Sequence, residues 1–133
     1  MDKGMEIKGV VDSDIQAVSR FVRNTMRRVG EYVHDEDAIF DIRLIIDELV
    51  LNGASHGNEW NQDKSVHLTL NITDEWVLIQ VRDEGAGLNY STGQYNPQSM
   101  ADHGRGLVLV EALSDDIQYH GNCISCKKRL RGR

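Results

Sequence analysis

The chain has 133 residues, of which 40% are hydrophobic and 27% are charged, so it is long enough for one domain (residues 1–133) with a two-layer core. Its net charge of −6 argues against a general affinity for nucleic acid or anionic membranes. No run approaches the roughly 20 apolar residues of a membrane span, and the first residues lack the apolar core of a signal peptide. We therefore expect a cytoplasmic globular protein.

The chain begins with a short strand and an amphipathic helix. Residues 5–11 are predicted to form the strand, and Asp12 and Ser13 can cap a helix over about residues 13–29, with Gln16 in a capping box. One side of this helix is apolar, with Ile15, Val18, Val22 and Val29. The other side carries Arg20, Arg23, Arg27 and Arg28. Those arginines form either a plain charged face or a surface for a partner.

The second helix carries the most distinctive polar side chains. Acidic residues at 35–37 suit its start, and apolar residues recur at helical spacing through residues 41–56, with an end near Gly57. Glu48 and Asn52 are four residues apart, so they lie one above the other on the helix surface. The amide oxygen of Asn52 suits Mg²⁺, and the carboxylate of Glu48 can accept a proton or orient a nucleophile. A solvated helix edge is the alternative.

A hairpin of two strands follows the central helix. Residues 65–72 alternate between apolar and polar side chains, residues 73–75 form the turn, and residues 76–83 form the return strand. Asp83 falls on the same side of the second strand as its apolar residues, so we expect it to face the helices. A carboxylate on the core side needs a partner, and the 6-amino group of adenine is a suitable one. An aspartate that caps a turn is the alternative.

Glycines and a polar segment come next. Gly85 and Gly87 allow the backbone to turn sharply beside a ligand. Residues 88–102 are polar and contain the only proline of the chain, and we interpret them as a lid that orders over a bound molecule. Gly104 and Gly106 then open a helix over residues 107–113, whose first N–H groups suit phosphate oxygens.

A second hairpin closes the sequence. Residues 116–120 and 123–130 form its strands around a Gly-Asn turn. Cys123 and Cys126 point to opposite faces of a strand, which favours ordinary reduced cysteines over a redox pair. At the C-terminus, either a solvated tail or a docking segment is formed by Lys127, Lys128, Arg129, Arg131 and Arg133.

Three short motifs in a fixed order resemble the ATP-binding boxes of the GHKL superfamily, which includes gyrase, histidine kinases and MutL. They are the ExxxN of Glu48 and Asn52, the DEGAG that begins at Asp83, and the GRG that begins at Gly104. The segments ELVLNGASHGN and GRGLVLV are most similar to the bacterial anti-sigma-factor serine/threonine kinases, and the resemblance covers about residues 7–130. It implies an α+β two-layer sandwich, with a mixed, mostly antiparallel sheet covered on one face by helices.

The resemblance also implies the roles of the site residues. Asp83 would hold the adenine of ATP, Asn52 would bind Mg²⁺, and Glu48 would act as a base or orient the acceptor hydroxyl. Arg105 would stabilise charge on the transferring phosphoryl group. The nucleotide pocket would be shaped by Gly85, Gly87, Gly104, Gly106 and Leu107.

The implied function is ATP-dependent serine/threonine phosphorylation of an antagonist protein, coupled to sequestration of a sigma factor, by a chain that forms a homodimer. A histidine-kinase catalytic module needs a phosphoacceptor helix pair, and a gyrase-type ATPase needs a transducer domain, and this chain has room for neither. A non-catalytic regulatory module that only binds nucleotide remains an alternative, because the presence of Glu48 and Asn52 does not prove turnover.

Overall fold

The computed structural model describes residues 4–85 and 103–130, and for residues 103–105 it describes the backbone alone. These residues form three α-helices and five strands. In chain order they are β1 Met5–Asp12, α1 Ile15–Val29, α2 Glu36–Asn52, β2 Ser65–Ile72, β3 Trp76–Arg82, α3 His103–Leu113, β4 Asp116–His120 and β5 Cys123–Arg129. A π-helical turn, Gly53–Gly57, continues α2. Gly87 and the predicted lid at residues 88–102 lie outside the described residues.

The five strands form one sheet in the order β1-β2-β3-β5-β4. Each neighbouring pair of these described strands runs antiparallel. The register places Leu70 beside both Ile7 and Ile79, which aligns an apolar row across three strands. The predicted α+β architecture is therefore confirmed, and the pairing is antiparallel throughout the described part of the sheet.

Helices cover one face of the sheet, and the core lies between the two layers. Alternate residues of each strand enter this core because successive side chains of a strand face opposite sides. The largest fully buried side chains include Ile7, Leu68, Leu70 and Ile79 from the sheet, and Ile42, Ile45, Ile46 and Leu49 from α2. Helix α2 also contacts both α1 and α3, so it is held from the sheet and from two sides. No helix in the described ranges is long and apolar enough to cross a membrane.

Helix α1 begins two residues later than predicted, and its cap is Asp14. The Asp14 carboxylate accepts a hydrogen bond from the N–H of Ala17 at 2.9 Å, which is the usual arrangement at an N-cap. Ser13, one of the two predicted caps, is instead fully buried, and its hydroxyl donates to the carbonyl oxygen of Lys64 at 2.8 Å. Ile15 is more exposed than predicted, because it is the first residue of the helix and lies outside the buried stripe.

The end of α2 departs from regular helical geometry. The predicted end near Gly57 is confirmed, but the last turn is π-helical, and the N–H of Asn58 donates to the carbonyl oxygen of Gly53 at 2.8 Å. A π-helical turn is wider than an α-helical one, and such turns are frequent at functional sites. This turn brings Gly57 into contact with Asp83, just after β3.

Helix α3 begins at His103, four residues before the predicted start at Leu107. Gly104 and Gly106 therefore lie in the first turn of the helix and not in a loop before it. The first N–H groups of a helix have no partner within the helix, so the glycine positions still coincide with the end that suits a phosphate.

Lys128 joins three elements of the fold. Its ammonium donates to the carbonyl oxygen of Leu113 at the end of α3 at 2.9 Å, and it lies 3.1 Å from the carboxylate of Asp41 on α2. The neighbouring basic residues lie over the ring of Trp76. Nζ of Lys127 is 4.6 Å from the ring centroid, and Cζ of Arg129 is 5.6 Å from it. The described part of the basic cluster therefore belongs to β5 and packs on the fold, so these residues do not form a frayed tail.

The two cysteines are free thiols on opposite faces of β5, as the strand pattern predicts. Cys126 is buried in the core, and burial raises its pKa to about 11. Cys123 is half-buried on the other face, and burial raises its pKa as well. Raised pKa values keep both thiols protonated near neutral pH, which favours a structural role over a redox role.

Candidate functional site

A cleft of about 100 Å³ lies between α3 and the end of α2 with its π-helical turn. Its walls are formed by Glu48, Leu51, Asn52, Ser55, His56, Gly106 and Leu107. The first and third sequence motifs, which are far apart along the chain, therefore meet at one place in the fold. The residues of the cleft that had been predicted as site residues are Glu48, Asn52, Gly106 and Leu107.

Gly106 approaches Glu48 so closely that a side chain would not fit between them. A Cβ atom on Gly106 would lie 2.3 Å from Oε1 of Glu48, so the glycine leaves room for this carboxylate beside the first turn of α3. Burial, and after it the charge of neighbouring Asp47, raises the pKa of the Glu48 carboxyl. A carboxylate with a raised pKa is a better proton acceptor near neutral pH.

Asn52 lines the same cleft one helical turn after Glu48 and is 8% exposed. The two side chains offer an amide oxygen and a carboxylate oxygen. Mg²⁺ prefers such hard oxygen ligands, and it commonly takes one or two from the protein and the others from water and substrate phosphates. The donor atoms of this cleft therefore fit Mg²⁺.

Asp83 directly follows β3, with its carboxylate on the helix side of the sheet, as its position in the strand pattern predicts. It is 4% exposed, and its Oδ1 accepts a hydrogen bond from the N–H of Gly85 at 2.9 Å. Burial raises the pKa of this carboxyl, and the Gly85 hydrogen bond and the charges of Lys64 and Arg82 oppose the effect. The arrangement is a buried hydrogen-bond acceptor that suits a donor on a ligand.

Two glycines surround the Asp83 carboxylate. A Cβ atom on Gly57 would lie 2.1 Å from Oδ2 of Asp83, and a Cβ atom on Gly85 would lie 1.8 Å from the carbonyl oxygen of Gly57. A side chain at either position would displace the carboxylate or the backbone beside it. The second motif therefore meets the end of the first at Gly57.

Glu84 lies between Asp83 and Gly85 and ties this turn to β2. Its carboxylate lies 2.6 Å from Nε2 of His67 and accepts a hydrogen bond from the N–H of Ser65 at 3.2 Å. The hydrogen bond with His67, and after it the one from Ser65, lowers the pKa of Glu84. The turn is thus fixed on its exposed side.

Polar residues that were not predicted hold the turn on its buried side. The side chain of Asn58 accepts a hydrogen bond from the N–H of Glu84 at 2.8 Å. The side chain of Asn122 donates to the carbonyl oxygen of Asp83 at 2.6 Å, and the backbone carbonyl oxygen of Asn122 accepts from the N–H of Asp83 at 3.0 Å. Asparagines in loops are mostly exposed, and the sequence signal for Asn58 is its position directly after Gly57, at the end of the segment ELVLNGASHGN.

Three predicted site residues are described only in part or not at all. Gly104 and Arg105 lie in the first turn of α3, where the backbone alone is described. Gly87 lies outside the described residues. The roles given to these residues stay predictions.

The family profile of the histidine kinase-like ATPase domain matches residues 11–128 of this chain. The match covers most of the sequence, so the chain belongs to this family. The resemblance carried by the three motifs is thereby confirmed, and the antiparallel sheet with helices is consistent with it.

Relatives of known name point to a narrower group within the family. The chain is 25% identical to the serine-protein kinase RsbW of Oceanobacillus iheyensis, over 62% of this chain and 58% of that protein. It is 28% identical to the anti-sigma F factor of Bacillus velezensis, over 61% of this chain and 59% of that protein. It is 26% identical to the serine-protein kinase RsbW of Bacillus subtilis, over 79% of this chain and 71% of that protein. The chain thus spans slightly under three fifths of the length of the first two relatives.

Proposed function

We propose that the protein is an ATP-dependent serine/threonine kinase that acts as an anti-sigma factor. The observation that carries the proposal is the meeting of three distant motifs, with the Asp83 carboxylate between two glycines and the Glu48–Asn52 pair in the cleft beside α3. Membership of an ATPase family supports the use of ATP, and the names of the relatives support the kinase and anti-sigma roles.

In this proposal, Asp83 selects the base of the nucleotide. The 6-amino group of adenine donates a hydrogen bond to the carboxylate, whereas guanine has a carbonyl oxygen at that position. A hydrogen bond to a charged acceptor in a buried place contributes more than one at the surface. Gly85 and Gly87 allow the backbone to pass close to the bound base and sugar.

The phosphates extend from the base toward the start of α3. The first N–H groups of that helix, with Gly104 and Gly106 among its first residues, donate hydrogen bonds to phosphate oxygens. Asn52 holds Mg²⁺, which when bound neutralises charge on the phosphates. Leu107 is buried beneath this end of the helix and holds it against α2.

Glu48 acts on the acceptor hydroxyl in the transfer step. Its carboxylate accepts the proton while the serine or threonine oxygen forms a bond to the γ-phosphorus. The bond from the γ-phosphorus to the β–γ bridging oxygen breaks, and ADP leaves with that oxygen. Arg105 stabilises the charge on the phosphoryl oxygens during transfer.

The proposed partners are a sigma factor, which is held inactive, and an antagonist protein with a phosphoacceptor serine or threonine. They rest on the names of the relatives, and a homodimer is proposed on the resemblance alone. The exposed side of α1 supports a partner surface, because its four arginines are all solvent-exposed: Arg20, Arg23, Arg27 and Arg28.

Phosphotransfer to a protein acceptor tests the proposal. The purified protein is incubated with γ-labelled ATP, Mg²⁺ and each antagonist-like protein encoded in the source genome. We expect label on a serine or threonine of one antagonist. Label on a histidine would instead indicate a histidine-kinase module, phosphate release without an acceptor would indicate an ATPase, and ATP binding without transfer to any antagonist would indicate a non-catalytic binding module.

A further inference from the structure

Asn58 is a deeply buried polar residue beside Asp83 that the three motifs do not include. It is 1% exposed and directly follows Gly57, at the end of the π-helical turn. A buried amide with unmade hydrogen bonds would be costly, so its partners define its role. Those partners come from three separate parts of the chain.

The side-chain amide of Asn58 both accepts and donates hydrogen bonds. Its Oδ1 accepts a hydrogen bond from the N–H of Glu84 at 2.8 Å. Its Nδ2 donates to the carbonyl oxygen of Ser65 and to the hydroxyl of Ser13, each at 3.0 Å. The Ser13 hydroxyl donates in turn to the carbonyl oxygen of Lys64 at 2.8 Å. The amide is therefore held rigidly and presents its oxygen to the turn that follows β3.

This contact fixes one side of the Asp83 turn independently of the other. The N–H and carbonyl groups of Asp83 itself are bonded to Asn122, which holds the strand side. The N–H of Glu84, the next residue, is bonded to Asn58, which holds the side facing Gly57. Loss of Asn58 would remove the backbone contact on the second side, where Oδ2 of Asp83 lies in the space that a Gly57 side chain would occupy, while the Glu84 carboxylate would keep its contacts with His67 and Ser65.

We propose that Asn58 is a positioning residue that sets the selectivity of the site for a purine with a 6-amino group. It joins the end of the π-helical turn to the backbone that carries Asp83, and so fixes the distance between the carboxylate and the wall formed by Gly57. The proposal rests on the proposed function, since it assumes that Asp83 accepts a hydrogen bond from adenine.

The test compares two nucleotides that differ by one group. ATP and purine riboside triphosphate, which lacks the 6-amino group, are titrated into the full chain with Mg²⁺, and the ratio of their dissociation constants is the readout. We expect wild-type protein to prefer ATP by roughly tenfold or more, the amount that one hydrogen bond to a charged group supplies. A general loss of protein stability weakens the binding of both nucleotides by the same factor and leaves the ratio of their dissociation constants unchanged.

Two substitutions remove the amide oxygen of Asn58 that accepts the hydrogen bond from the N–H of Glu84. Asn58→Ala removes the amide, and Asn58→Ser leaves a hydroxyl in the cavity that ends one bond short of the amide oxygen. The matched control is Asn61→Ala in the same loop, because the side chain of Asn61 is exposed and accepts a local hydrogen bond from the N–H of Asp63. Each variant is measured at a temperature at which its near-ultraviolet circular dichroism matches that of wild type.

We expect either Asn58 variant to lower the preference for ATP at least threefold, through weaker binding of ATP with nearly unchanged binding of the deamino nucleotide. Asn61→Ala should keep the wild-type ratio. An Asn58 variant that keeps the wild-type ratio would overturn the inference and leave the proposed function intact. Wild-type protein that binds neither nucleotide would overturn the proposed function itself.

Discussion

Asp83 combines strong burial of a carboxylate with two backbone contacts that require glycine. Burial raises its pKa, which means that ionised Asp83 is less favourable in the folded protein than in the unfolded chain. A charged group that opposes folding is typical of a site that binds a ligand. The residue is therefore better explained by recognition than by stability.

Asp83→Asn should weaken ATP binding by roughly 10–150-fold, because a neutral acceptor replaces a charged one. In the absence of nucleotide it should raise the free energy of unfolding at neutral pH. The raised pKa makes wild-type stability fall as pH rises from about 3.9, the ordinary value, through the folded-state value. The variant lacks that component of the pH dependence.

Calorimetric titration and urea unfolding at several pH values measure the two effects of Asp83→Asn separately. Unchanged affinity for ATP would contradict the role given to Asp83. A stability profile parallel to that of wild type across the acidic range would contradict the explanation from burial.

Glu48→Gln should keep ATP binding within a few-fold and slow phosphotransfer by about 10²–10⁴, because the amide cannot accept the proton of the acceptor hydroxyl. Glutamine has the length of glutamate, so the packing against Gly106 is preserved. Glu31→Gln, at an exposed position between α1 and α2, is the matched control and should be silent. Single-turnover transfer from labelled ATP is the measurement, and transfer by Glu48→Gln at the wild-type rate would show that Glu48 is not the base.

The sequence predicts some site residues better than others. The burial of Asp83 follows from strand alternation, and the placement of Glu48 above Asn52 follows from helical spacing. The contact between Asn58 and Glu84 joins residues 26 positions apart, and no local pattern encodes it. Residues whose role depends on such a tertiary contact could be identified only in the folded chain.

At the scale of elements, the π-helical turn after α2 is the part that joins two motifs. Gly57→Ala should reduce ATP binding at least tenfold, because the new Cβ would lie 2.1 Å from Oδ2 of Asp83. Overpacking of this kind typically lowers the free energy of unfolding by about 1–3 kcal/mol.

Gly30→Ala, at the C-terminal cap of α1, is the matched control for Gly57→Ala. There a Cβ atom would meet only ordinary contacts at 3.6 Å, so we expect nearly wild-type ATP affinity and stability. Dissociation constants from calorimetry and midpoints from thermal unfolding check both variants. Equal ATP affinity of the two variants would mean that Gly57 does not shape the site.

Lys128 connects the C-terminal end of α3 to α2. Lys128→Met should lower the free energy of unfolding by about 1–2 kcal/mol, since it removes a charged hydrogen bond and a partly exposed ion pair. Lys8→Met on the exposed side of β1 should change it by less than about 0.5 kcal/mol. Urea unfolding compares them, and equal stability of the two variants would show that the Lys128 contacts are not stabilising.

Most elements could be predicted from the sequence, whereas the starts of α1 and α3 could not. The alternation of apolar and polar residues predicts the bounds of β2 and of both strands of the second hairpin within one residue. The start of α1 was missed because the Ser13 hydroxyl bonds to Lys64 and leaves the cap to Asp14. The start of α3 was missed because glycines suggest a loop, although these two lie in a helix.

At the scale of the whole molecule, the fold brings together parts of the chain that lie far apart in sequence. Helix α2 and the start of α3 border one cleft, the turn after β3 meets the π-helical turn at Gly57, and the core lies beneath α2. The order of the three motifs predicts this assembly, because each motif is tied to a particular element. The close contacts that make the site depend on packing between the layers, which spacing alone does not encode.

Isothermal titration of ATP into the purified chain, with Mg²⁺ present, tests the central claim most directly. We predict binding at one nucleotide per chain for wild type, and binding at least tenfold weaker for Asp83→Asn. Folded wild-type protein that gives no binding signal with either ATP or ADP would contradict the claim that a purine nucleotide occupies this site.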